Sequence, residues 1–73
     1  MHVIKVEVWT SINTICLLFA DKPQYDIHYY GTLTEEELIK LGENFAKFYN
    51  LPKKTITRYF HNGDILVVEY TKT

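Results

Sequence analysis

From Val3 to Trp9, Ile4, Val6 and Val8 alternate with Lys5, Glu7 and Trp9. That period of two predicts a strand with one wet face. Thr10-Ser11-Ile12-Asn13 then reads as a hairpin connection into a second strand, Thr14 to Ala20, which is apolar on both faces and so is expected to be central and covered on both sides. Asp21-Lys22-Pro23-Gln24 makes the next turn, with Pro23 supplying its fixed φ. A third strand runs from Tyr25 to about Tyr30, with Tyr25, Ile27 and Tyr29 on one face and Asp26, His28 and Tyr30 on the other.

The period changes after Leu33. Leu38, Leu41, Phe45 and Phe48 recur at steps of three and four, widened by Ile39, Ala46 and Tyr49, the stripe of an amphipathic helix over about Thr34 to Tyr49. Thr34 and Glu37 have capping-box spacing, and Glu35, Glu36 and Glu37 lie at the positive end of the helix dipole. Asn50 suits a left-handed cap, and Pro52 forbids continuation. The last unit is a hairpin, Thr55–His61 with Asp64–Tyr70, around Asn62-Gly63, the dipeptide of a two-residue type I′ turn. That turn pairs Phe60 with Ile65, Arg58 with Val67 and Ile56 with Glu69; Tyr59, Thr57 and Thr55 then meet Leu66, Val68 and Tyr70 on the other face.

The chain therefore reads as one α+β domain spanning residues 1–73, a single-layer antiparallel sheet in the order β-β-β-α-β-β packed on one amphipathic helix. Ile4, Val6, Val8, Ile27, Phe60 and Ile65 are expected to meet Leu38, Leu41, Phe45 and Phe48. One helix covers one face of a sheet. The other would carry Val3, Trp9, Tyr59, Leu66, Val68, Tyr70 and half of the second strand. Monomers rarely expose apolar patches beyond a few hundred Å². Either the sheet curls over this surface or the surface meets a partner.

Composition narrows the classes. A chain of 73 residues buries only about 60% of its unfolded surface, so it is marginal without some supplement. Its one cysteine, Cys16, precludes an internal disulfide and lies in the run Ile15-Cys16-Leu17-Leu18-Phe19-Ala20, where a thiol acts as a small hydrophobe. His2, His28 and His61 lack metal-ligand spacing, so neither metal nor cofactor is expected. The net charge of −1 leaves no basic footprint for duplex nucleic acid. The N-terminus does not read as a signal peptide, and no run is long enough for a bilayer, so a cytoplasmic protein is expected.

Chemistry is sparse. His61 beside Asp64, and His28 near Asp26 and Tyr30, are acid–base candidates by composition alone. Ser11 has no nucleophile-elbow context, and Gly31, Gly42 and Gly63 form no phosphate loop. No enzyme is indicated. The expectation is a non-catalytic protein-interaction module using Trp9, Tyr30, Tyr59, Leu66, Val68 and Tyr70 toward another protein or a second copy of itself. The short chain, its initiator Met and its excess of lysine over arginine suit a phage or mobile-element inhibitor that occludes a larger host protein or defence complex. Two alternatives remain: a small homodimeric accessory subunit, and a single-stranded nucleic-acid binder stacking bases on Tyr29, Tyr30, Tyr59, Phe60 and Tyr70 with Lys53, Lys54 and Arg58 at phosphates.

Overall fold

A computed structural model describes residues 2–59 and 65–73. The strands are β1 (Val3–Trp9), β2 (Thr14–Phe19), β3 (Tyr25–His28), β4 (Lys53–Tyr59) and β5 (Ile65–Thr71), and the helix is α1 (Glu35–Phe48). All five strands form one antiparallel sheet in the order β3-β2-β1-β5-β4, so the domain is the expected α+β fold. The sheet is open, with β3 and β4 as its edges; its central strand is β1 and not, as expected, β2, which lies next to the β3 edge. Between β1 and β2, Thr10–Ile12 make a short 3₁₀ turn that Asn13 ends in the left-handed region at φ 48°. The expected Asn62-Gly63 turn, the expected inward facing of Phe60, and the His61 and Asp64 pair lie outside the described residues.

The helix ends follow from local chemistry. Thr34 Oγ1 accepts from the Glu37 N–H at 3.1 Å, and Glu37 Oε1 accepts from the Thr34 N–H at 2.9 Å, a complete capping box. At the other end, Asn50 is left-handed at φ 57°, the Leu51 N–H donates to the Ala46 carbonyl and the Asn50 N–H donates to that of Lys47. Those two bonds are a Schellman motif. Ala46 and Leu51, its apolar pair, are both buried.

Helix α1 crosses β1 and β5. Its inward line is Leu38, Gly42 and Ala46, all buried. A Cβ at Gly42 would overlap Val8 Cγ2 and touch the Tyr70 ring at 3.5 Å, so the helix rests directly on the sheet there. This corrects the expected stripe. With 3.6 residues per turn, Phe48 points about 120° away from Gly42, and it is 79% exposed. Leu41 and Phe45 are half-buried at the side of the contact.

The sheet face under the helix carries Val6 and Val8 of β1, Ile15 and Leu17 of β2, Ile27 of β3 and Leu66, Val68 and Tyr70 of β5. Ile4 does not join it. The register shifts between Val3 and Lys5, and Ile4 is left exposed while Val3 is buried. The larger correction concerns β5. Tyr59 pairs with Ile65, Arg58 with Leu66 and Ile56 with Val68, one residue away from the pairing a two-residue turn imposes. A one-residue slip exchanges the two faces of a strand. Ile65 therefore lies on the side away from the helix, while Leu66, Val68 and Tyr70 lie beneath it, 6%, 0% and 4% exposed.

The Gly42 contact generates the first prediction. Gly42→Ala gains about 1 kcal/mol of helix propensity but forces an overpacking cost of about 1–3 kcal/mol. Urea unfolding should show net destabilisation, and Val8→Ala, which removes the overlapping methyl, should be less damaging in the Gly42→Ala background than alone. Additive effects would mean that the helix sits further from β1.

Candidate functional site

Away from the helix, register places Trp9, Glu7 and Lys5 of β1 beside Thr14 and Cys16 of β2, then His28 and Asp26 of β3. On the other flank come Val67 and Glu69 of β5, then Thr57 and Thr55 of β4. The continuous apolar face expected from the sequence does not form. Glu7 and Glu69 stand directly opposite each other, a repulsive pairing. Lys5 Nζ offsets it, reaching Glu7 at 3.6 Å and Glu69 at 3.9 Å. Trp9 Nε1–H donates to Glu7 Oε1 at 3.1 Å, directing the indole along its own strand. Trp9 is the cross-strand neighbour of both Thr14 and Val67, which are buried although no helix covers them.

The chemistry on this face is structural. Thr14 Oγ1 donates to the Ile12 carbonyl at 2.8 Å and lies 2.9 Å from His28 Nδ1. Both contacts are satisfied together when Nδ1 carries the imidazole proton and donates to Thr14. Burial, then a hydrogen bond with Asp26, then the charges of Asp26 and Glu7 push the Cys16 thiol up to about 12. A thiol held protonated in this way is a weak nucleophile near neutral pH. Among the described residues no three His, Cys, Asp or Glu side chains are placed to hold a metal, and no helix is long and apolar enough to cross a membrane.

The six residues expected to share one surface are divided. Trp9 and Tyr59 lie on the uncovered face, half-buried and 50% exposed. Leu66, Val68 and Tyr70 form part of the core. Tyr30 follows β3 and is 94% exposed. Next to it in the chain, Tyr29 lines a groove of about 410 Å³ along the β3 side of α1, with Leu41, Asn44, Phe45, Phe48 and Tyr49. Phe48 and Tyr49 meet edge to face, ring centroids 5.0 Å apart. Tyr25, on the helix side of β3, is 62% exposed. Sequence patterning missed this aromatic flank because it assigned Phe48 to the core; the signal was the small pair Gly42 and Ala46, which rotates the helix.

A second groove, of about 680 Å³, runs along the β4 side of the helix C-terminal half. Ala46, Leu51, Pro52 and Tyr70 give it apolar walls, and Glu43, Lys47, Lys54 and Lys72 surround them. Lys54 Nζ lies 3.6 Å from a Glu43 carboxylate oxygen. The Tyr70 hydroxyl is buried without a hydrogen-bond partner among the described residues, a cost of about 1–3 kcal/mol. Burial, then the charge of Glu43, pushes this phenol up to about 12.

These two raised values fix a pH dependence. Cys16 and Tyr70 keep their protons in the folded chain after the unfolded chain has lost them, so the folded form binds more protons and stability falls as pH rises. The loss should begin near the ordinary thiol and phenol values of 9.0 and 10.0 and continue to about 12. Denaturation midpoints measured through that window should decline, less steeply for Cys16→Ala and for Tyr70→Phe. Ellman's reagent at pH 8 should label Cys16 only after unfolding; prompt labelling of the folded chain would contradict its placement.

The chain matches no family model, no curated protein and no solved structure.

Proposed function

We propose that this domain is a non-catalytic protein-interaction module that binds a larger protein through the aromatic flank between α1 and β3. The observation that carries the reading is Phe48, 79% exposed on a rigid helix beside a groove walled by Tyr29 and Phe45. A large apolar ring held outward by secondary structure offers contact area at little entropic cost, which is the character of interface hot spots. Tyr25 and Tyr30, 62% and 94% exposed, extend the same side of the molecule. Of the acid–base candidates, His28 is engaged with Thr14, and His61 with Asp64 lies outside the described residues. Trp9 and Tyr59 are left for a secondary role, because the face they share is crossed by the Lys5, Glu7 and Glu69 ion pairs.

Small size, mixed charge and a lone thiol are consistent with a cytoplasmic protein that acts by occluding its partner, the mode of an inhibitor encoded by a phage or mobile element. A single-stranded nucleic-acid binder is less well supported. Its stacking residues are dispersed, with Tyr70 buried and Tyr29 and Tyr59 on opposite sides of the sheet.

The test begins with Phe48→Asp. An exposed substitution of this kind should leave the denaturation midpoint within about 0.5 kcal/mol of the parent. Light scattering after gel filtration should give a monomer for both chains, and a bead-bound parent should retain from source-cell or host extract a protein that Phe48→Asp does not, with capture persisting in high salt. Retention by Phe48→Asp as well would rule this flank out. A dimer that Phe48→Asp dissociates would make the partner a second copy, and capture of nucleic acid that fades steeply with salt would favour the stacking alternative.

A further inference from the structure

The groove on the β4 side of the helix is a second site, chemically unlike the aromatic flank. Its floor is apolar, formed by Leu51 and Tyr70, 3% and 4% exposed. Three ammonium groups border it. Lys54 is shared with Glu43, while Lys47 and Lys72 have no ion pair among the described residues. The surroundings are therefore net positive by two charges, three lysines against one glutamate. A volume of about 680 Å³ lies within the usual size of small-molecule sites.

The Tyr70 hydroxyl supplies the second, independent observation. It belongs to a side chain more than nine-tenths buried that lines this groove, and it finds no partner among the described residues. Buried polar atoms are nearly always paired, so an orphan in a groove wall points to a partner from outside the fold. The nearby Glu43 carboxylate lies 3.6 Å from Lys54 Nζ and makes no hydrogen bond to the phenol. Both members of that pair are partly exposed and free to swing aside.

We propose that this groove binds a small amphipathic anion, with its acyl or alkyl chain against Leu51 and the Tyr70 ring and its carboxylate or phosphate head toward Lys47, Lys54 and Lys72. The Tyr70 hydroxyl, buried in the empty groove, donates to an oxygen of the head once the Glu43–Lys54 pair swings aside. The requirement for both an apolar tail and a negative head follows from the groove: neither half alone uses what it offers. The aromatic flank is on the other side of α1, so this site stands or falls independently of the proposed protein interface.

Octanoate, octyl phosphate, octanol and octyltrimethylammonium are the probes, titrated into the intact chain while amide resonances are followed by NMR. Saturable shifts at Leu51, Lys54 and Tyr70 are expected for an anionic probe, with octanol roughly tenfold weaker, the loss of one charge-assisted hydrogen bond. The stronger of octanoate and octyl phosphate identifies the head group. Tyr70→Phe should weaken binding several-fold. Should that variant fail to fold, the exposed double variant Lys47→Gln/Lys72→Gln gives the same reading. Phe48→Asp should leave the titration unchanged. Absence of saturation, equal affinity for octyltrimethylammonium, or shifts confined to Phe45 and Phe48 would overturn the assignment.

Discussion

Everything above the sheet depends on how closely α1 approaches β1. The absence of a side chain at Gly42 lets the helix backbone settle onto Val8 and the Tyr70 ring. Close approach is what a small domain with a single helix needs, because each apolar side chain fully buried between the two layers contributes about 1.5–3 kcal/mol. Val6, Val8, Ile15, Leu38 and Val68 all reach 0% exposure around that contact. The approach also sets the rotation of the helix. With Gly42 and Ala46 at the bottom, Leu41 and Phe45 lie against one wall and Phe48 is carried out of the core.

A second constraint acts within the sheet. β1 is central and pairs with both β2 and β5, so its inward residues Val6 and Val8 fix which residues of both neighbours turn inward. Val8 aligns with Ile15 and Val68, and Val6 with Leu17 and Tyr70. The Val8 row stays apolar through to Ile56 on the β4 edge, and the Val6 row until it reaches Lys54 there. The alternate row through Glu7, Cys16 and Glu69 is polar enough to face water. Once β1 is placed, the facing of β5 is determined by cross-strand packing.

This explains what the sequence revealed and what it concealed. Element identity was legible because each local signal is unambiguous: alternation in β1, the Thr34–Glu37 capping box, and Asn50 before Pro52. The start of β1 was read correctly, and the helix only one residue too long at each end, where the caps themselves lie. Facing was less legible. In β5, Ile65, Val67 and Glu69 alternate with Leu66, Val68 and Tyr70, and both sets contain apolar residues. Local patterning does not choose between them, and the Asn62-Gly63 turn inferred from sequence chose wrongly because one residue of register reverses the strand. Of the expected surface set, Leu66, Val68 and Tyr70 were lost to the core for this reason alone. Tyr30 is exposed as expected, but it follows β3 rather than ending it, because the strand stops at His28.

The two flanks of the helix acquire opposite chemistry from its position. Lying across β1 and β5, α1 leaves a strip of sheet beside each long edge, and the residues of those strips are set by the edge strands. Toward β3 the inward row ends in Tyr25 and Ile27, and the helix adds Phe45 and Phe48. Both sides of that strip are aromatic or aliphatic, so contact with another apolar surface is its natural completion. Toward β4 the rows end in Ile56 and Lys54, and the helix adds Glu43 and Lys47 around a floor of Leu51 and Tyr70. An apolar protein surface laid there would bury the lysines without counter-charges, which is costly. An amphipathic anion brings the counter-charge with it. One off-centre helix thus gives a domain of 73 residues two flanks of different composition, one aromatic and one apolar with a lysine border.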